Sequence, residues 1–134
     1  MQYLILLIDD DPEELEIMNE ALQKGNIEAL CMWAGGLQHA TRTLQEIAPD
    51  FIFIDMNMPV ANGITCLQGL KKNKDLATTP MVMYSTSISD DTRTKAMASG
   101  ASWCIQKPDN IDALAYQLLR FLTVTSHHDS YSNA

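Results

Sequence analysis

Five short apolar runs, each followed by a segment of helical spacing, constrain this chain more than any other feature. Tyr3 to Ile8 is continuously apolar, the pattern of a strand buried on both faces. Asp11-Pro12-Glu13-Glu14 then reads as a helix start. Asp11 is the N-cap, Pro12 takes the first helical position, and Glu14 is placed to close a capping box. Leu15, Met18 and Leu22 follow at helical spacing, and Gly25 ends the helix. Ile27 to Trp33 is a second, weaker strand. Leu37, Ala40, Leu44 and Ile47 stripe the next helix, which stops before Pro49. Phe51 to Ile54 ends on Asp55; after a loop closed by Gly63, the residues Ile64, Leu67 and Leu70 form a short helix face. Met81 to Tyr84 ends on Ser85, and a weak helix over about 91–99 stops at Gly100. Trp103 to Gln106 ends on Lys107-Pro108. Ile111, Leu114, Leu118 and Phe121 stripe a last helix. Strands alternating with helices predict an α/β fold with a parallel sheet covered on both faces.

A chain of 134 residues suffices to bury such a core as one domain. Residues 1–123 read as that domain. Residues 124–134, dominated by Ser, His, Asp and Asn without periodicity, read as a disordered tail. The net charge of -8 gives a surface that repels DNA phosphates, so nucleic acid is not an expected partner. Cys31, Cys66 and Cys104 have neither metal-ligand spacing nor an even count, and read as buried reduced thiols. The first residues lack the basic start of a signal peptide, and no apolar run approaches membrane-spanning length. A soluble, cytoplasmic protein is expected, with no membrane partner.

The chemistry lies at the ends of the apolar runs. Asp9 and Asp10 follow the first, Asp55 ends the third, Ser85 the fourth and Lys107 the fifth. In an open α/β sheet, ligands bind outside the carboxyl ends of the strands, so these five groups are expected to converge. Carboxylates held close together repel one another, and a hard divalent cation relieves the repulsion. Oxygen ligands suit Mg²⁺, which keeps waters and takes one or two carboxylates plus phosphate oxygens. Asp55 is placed to attack phosphorus as a carboxylate nucleophile. Mg²⁺ and the Lys107 ammonium would neutralise the transferring group, and the Ser85 hydroxyl would donate to one of its oxygens.

The stretches Leu6-Leu7-Ile8-Asp9-Asp10-Asp11, Asp55 to Gly63 (DMNMPVANG) and Gly100 to Pro108 (GASWCIQKP) resemble the response-regulator receiver family, in its stand-alone, chemotaxis-regulator-like form. The resemblance spans about residues 3–123. It implies a flavodoxin-like, doubly wound five-stranded parallel sheet of order 2-1-3-4-5 with five helices. It also implies a single-domain regulator of a two-component phosphorelay. Position by position, Asp55 resembles the phosphoacceptor, and Asp9 and Asp10 the acidic pair, with Asp10 the direct metal ligand and Asp9 acting through water. Asn57 would offer its backbone carbonyl to the Mg²⁺. Ser85 resembles the switch hydroxyl and Lys107 the active-site lysine, and the Lys107–Pro108 bond would be cis. The implied phosphodonor is a sensor histidine kinase or a histidine phosphotransfer protein. No effector segment follows residue 123, so output is expected through contacts with a downstream protein. Thr86 stands where the family usually has Ala or Gly, and its branched side chain would slow access to the site. Cys104 stands where the family commonly has Tyr or Phe, which leaves the usual aromatic toggle without a ring. Trp103, its neighbour, should point to the opposite side and either anchor a partner or pack on the last helix.

Two other functions compete with this reading. A phosphatase of the haloacid dehalogenase type also places an Asp nucleophile after a buried strand, but uses a second Asp two residues on as general acid. Asn57 occupies that position and transfers no proton. The chain is therefore not expected to be an enzyme beyond self-catalysed phosphorylation and dephosphorylation of Asp55. The second is a phosphorylation-independent pseudo-receiver binding module, which usually loses an acidic residue or the lysine. Several residues read as structural: Asp11 as a cap, Met56, Met58, Met81 and Met83 as packing, and Gly35-Gly36 as a turn. His39, His127 and His128 have no Cys or acidic partner at ligand spacing.

Overall fold

A computed structural model of the chain describes residues 2–58 and 62–132. Five parallel strands form one sheet of order β2-β1-β3-β4-β5: β1 Tyr3–Ile8, β2 Ala29–Ala34, β3 Phe51–Asp55, β4 Met81–Ser85 and β5 Trp103–Gln106. Five α-helices, α1 Glu13–Lys24, α2 Leu37–Thr43, α3 Gly63–Lys71, α4 Asp90–Ala98 and α5 Ile111–Ser132, cover it. The parallel sheet covered on both faces is what the alternating pattern predicts, and its order is the flavodoxin-like one that the family resemblance implies. Every residue of β3 and β4 is buried, because helices lie against both faces of these interior strands. The edge strands β2 and β5 show mixed burial, which explains the weaker apolar signal of β2.

The alternation of side chains across the sheet sorts the core into two halves. Ile5, Leu7, Phe53, Val82, Tyr84 and Ile105 face α1 and α5. Leu6, Ile8, Ile54, Met81, Met83 and Cys104 face α2, α3 and α4, together with Met56 and Met58. All three cysteines are free and buried, and burial pushes the Cys31 and Cys66 thiols up to about 12 and about 11.

Several local details differ from the sequence expectation. Gly25 ends α1 as expected, but the left-handed residue is the next one, Asn26, at φ 52°. Ile27 spends its N–H on the carbonyl of Leu22, so β2 starts at Ala29. Asp11 does act as a cap, accepting from the Glu13 N–H at 3.0 Å. Glu14 does not close a capping box; its carboxylate turns to Lys107. The Lys107–Pro108 bond is trans, as is every described peptide bond, in keeping with the modest trans preference of a prolyl bond. The last helix was expected to end near Thr123, ahead of a disordered tail; α5 continues to Ser132. No Gly or Pro interrupts residues 111–132, and extending a nucleated helix costs far less than starting one. Pro59, Val60, Ala61, the last two residues of the tail, and the side chains of His127 and His128 lie outside what is described.

Gly63 fixes the junction between β3 and α3. A Cβ there would lie 2.5 Å from the Asp55 carbonyl oxygen and 2.7 Å from the Met56 Cα. Both are backbone atoms beside the candidate site, and neither can yield like a side chain. Gly63→Ala should therefore destabilise the fold by about 1–3 kcal/mol, the usual cost of overpacking. Urea unfolding monitored by circular dichroism checks this; an unchanged midpoint would show that the junction relaxes freely.

Candidate functional site

Parallel pairing in register carries the polar groups to one edge of the sheet. Ile8 pairs with Ile54, Asp55 with Tyr84, and Ser85 with Gln106. The next residues along β1 and β5, Asp9 and Lys107, therefore arrive beside Asp55 and Ser85. Backbone bonds lock the positions: the Asp9 N–H donates to the Ala34 carbonyl at 3.0 Å, and the Lys107 N–H to the Ser85 carbonyl at 2.7 Å.

The carboxylates of Asp9, Asp10 and Asp55 each place one oxygen within 4.8 Å of the others. Asp10 is exposed, whereas Asp55 is 7% and Asp9 only 1% exposed. Asp9 Oδ1 accepts from the Asp11 N–H at 3.0 Å, but Asp9 Oδ2 is buried with no hydrogen-bond partner. Burial, the largest influence, pushes the Asp9 carboxyl up to about 6. The negative charges of Asp55 and Glu14 push it the same way, while the Asp11 N–H and Lys107 pull it back. Three carboxylates that bring one oxygen each within 4.8 Å of the others form the donor set of a hard divalent cation, so Asp9, Asp10 and Asp55 fit Mg²⁺.

Ser85 is fully buried, and its Oγ accepts from the Asn57 side-chain amide at 2.7 Å. The Asn57 backbone N–H donates to Asp55 Oδ1 at 3.1 Å. Asn57 thus links acceptor and hydroxyl through its side chain, a role the sequence reading, which used only its backbone carbonyl, did not find. Lys107 Nζ lies 3.5 Å from Asp9 Oδ2 and 3.4 Å from Glu14 Oε2, over the Tyr84 ring at 4.6 Å from its centroid. No ion pair joins Lys107 to Asp55 among the described residues. Glu14 and Tyr84 were also missed as site neighbours. An acid in the first turn after the β1 carboxylates was the available signal for Glu14. The indole N–H of Trp33 donates to the Asp9 carbonyl at 2.8 Å. His39 is structural, its Nδ1 accepting from the Gly35 N–H at 3.0 Å across the expected turn. Thr86 is exposed at the rim of the site.

A fold of this order, with an acidic cluster, a hydroxyl and a lysine at its strand ends, is that of a receiver-type domain. The family model for the response regulator receiver domain matches residues 5–118, and the chain belongs to that family. It is 28% identical over 94% of its length to the phosphate regulon transcriptional regulatory protein PhoB of Pseudomonas aeruginosa, covering 54% of that protein. It is 25% identical over 90% of its length to the probable C4-dicarboxylate response regulator DctR of Bacillus subtilis, covering 52% of it. The chain thus spans about half the length of these curated relatives. Among solved structures, the chemotaxis protein CheY4 of Vibrio cholerae superposes with a TM-score of 0.76 at 26% identity, over 90% of this chain and 98% of that one. Receiver domains bind Mg²⁺ at an acidic pocket and receive phosphate from histidine kinases. No helix among the described residues is long and apolar enough to cross a membrane.

The Asp9 carboxyl has a definite effect on stability. Its folded value, about 6, is raised above the ordinary 3.8, so folding favours its protonated form. Its contribution to stability is complete below pH 3.8 and lost as the pH rises through about 6. Asp9→Asn should therefore be more stable than wild type without metal, by on the order of 2 kcal/mol at pH 7. The difference should shrink toward pH 4. Thermal melts in chelator across that range check it; a gap that widens in acid would contradict the burial of this charge.

Proposed function

We propose that this chain is a response-regulator receiver in which Asp55 accepts a phosphoryl group from a phosphohistidine, with Mg²⁺ bound by Asp9, Asp10, Asp55 and the Asn57 backbone carbonyl. The observation that carries this reading is the carboxylate cluster of Asp9, Asp10 and Asp55, with Lys107 ion-paired to Asp9 Oδ2 and Ser85 at the end of the neighbouring strand. An Asp55 carboxylate oxygen forms the new bond to phosphorus as the phosphorus–nitrogen bond to the donor imidazole breaks. The electron pair of that bond leaves with the imidazole nitrogen. When bound, the cation neutralises charge on the transferring group. The Asn57 N–H on Asp55 Oδ1 orients the carboxylate so that its other oxygen faces the donor. Lys107 supplies positive charge to the phosphoryl oxygens. The Ser85 hydroxyl, which donates to the Ser87 carbonyl at 3.2 Å, must release it to donate to one of them, and the segment from Thr86 to Ser89 moves with it. The donor is a sensor histidine kinase or histidine phosphotransfer protein, and the output is a docking face for a downstream protein. The haloacid dehalogenase alternative finds no acid at Asn57, whose amide is committed to Ser85.

Trp103 supports the placement of that face. It is 48% exposed on the edge strand while its ring packs against Phe121 of α5 at 5.8 Å. It borders a groove with Gln106, Gln117 and Arg120. Cys104 points the other way, into the core beside α4. With Trp33→Phe leaving Trp103 as the sole indole, beryllofluoride in Mg²⁺ should shift its emission, and Cys104→Ala should keep the shift. Loss of the response in Cys104→Ala would make the thiol position the switch.

The phosphoacceptor assignment is tested by intact mass after incubation with Mg²⁺ and acetyl phosphate. The expected product carries one added phosphoryl group, absent in Asp55→Asn and absent in chelator. Retention of the label in Asp55→Asn would overturn the assignment, and no label on the wild type would favour the pseudo-receiver.

A further inference from the structure

Glu14 stands outside the carboxylate cluster and outside every role given above, yet it holds the active-site lysine. It lies in the first turn of α1, two residues beyond Pro12, and its carboxylate reaches back over the strand ends. Lys107 Nζ sits 3.4 Å from Glu14 Oε2 and 3.5 Å from Asp9 Oδ2, and the face of the Tyr84 ring lies 4.6 Å from it. The side chains are only 12% exposed for Lys107 and 19% for Glu14, so water screens the pair less than it would a surface ion pair. The two anionic partners differ in one respect. Asp9 belongs to the cluster that fits a cation, and a bound cation would draw its charge away from Lys107. Glu14 does not belong to that cluster, so a cation leaves its hold intact.

We infer that Glu14 is a positioning residue that restrains Lys107 on the α1 side of the site and makes it a contested partner for the phosphoryl group on Asp55. The inference rests on the phosphoacceptor reading above. A phosphoryl group on Asp55 must draw the ammonium away from Glu14, whose charge also opposes that of the incoming anion. Both effects have the same sign: removing the Glu14 charge strengthens the capture of an anion at Asp55. Tyr84 keeps the ammonium near the site when Glu14 is gone, because the ring face attracts a cation without competing through formal charge.

Calorimetric titration of the full chain with beryllofluoride in saturating Mg²⁺ tests this, alongside a separate titration with Mg²⁺ alone. Glu14→Gln should bind beryllofluoride about fivefold more tightly than wild type, the scale of one partly shielded ion pair. Its Mg²⁺ affinity should stay within about twofold, since Glu14 is not in the cation cluster. Glu14→Asp, whose carboxylate is withdrawn by one methylene, should fall between the two. The ¹⁵N resonance of the Lys107 ammonium should move in Glu14→Gln before any anion is added. Unchanged or weaker beryllofluoride binding in Glu14→Gln, with wild type binding normally, overturns the restraint and leaves the phosphoacceptor reading standing. A change confined to Mg²⁺ affinity also overturns it, since Glu14 would then act on the metal and not on Lys107. Failure of wild type to bind beryllofluoride overturns the phosphoacceptor reading and the restraint with it.

Discussion

Like charges crowded at the ends of parallel strands are the condition around which the site is organised. Asp9, Asp10 and Asp55 sit together because β1 and β3 pair in register, and the strands pair in register because apolar faces must be buried on both sides. A register slip of one residue would reverse every side chain and drive the carboxylates into the core. The hydrophobic sheet therefore holds in place an arrangement that electrostatics alone would scatter. Its cost appears at Asp9, whose carboxyl is pushed up to about 6 by burial.

Each neighbouring element bears on that crowding. The Asp11 N–H donates to Asp9 Oδ1 and the Asn57 N–H to Asp55 Oδ1, fixing one oxygen of each carboxylate with backbone. Lys107 brings the opposing charge, but from the side of α1, where Glu14 and the Tyr84 ring also hold it. The carboxylate cluster and the lysine therefore meet through the ion pair of Lys107 with Asp9, at 3.5 Å. Ser85 is likewise engaged with Asn57. Gly63 lets the chain turn directly behind Asp55, since a side chain there would collide with the strand backbone.

Much of this was legible in the amino-acid sequence, because it follows from local periodicity. Five apolar runs and five helical stripes define an α/β sandwich, and strands that end on Asp9, Asp55, Ser85 and Lys107 place chemistry at one edge of the sheet. Asp11 was readable as a cap because capping is decided within one turn. Element ends were less legible: Asn26 and not Gly25 turns left-handed, and α5 continues past Thr123, because helix ends are settled by competition among weak local terms.

Side-chain partners across the fold were decided only by tertiary structure. Glu14 read as a capping residue because its nearest chain neighbours are helical; its partner is 93 residues away and reaches it only when the sheet sets β5 on the same side of β1 as β3, with two strands between them. Asn57 read as a backbone ligand, but its amide meets Ser85 once β3 and β4 pair. Trp103 packs on Phe121 and remains half exposed because β5 is an edge strand, a fact of strand order and not of local pattern. The sequence by itself determined which residues end the strands, since burial of apolar runs is a local property of composition. Which charge each of those residues meets was left to the folded chain, because Coulombic and hydrogen-bond contacts depend on distances that only strand order and register set.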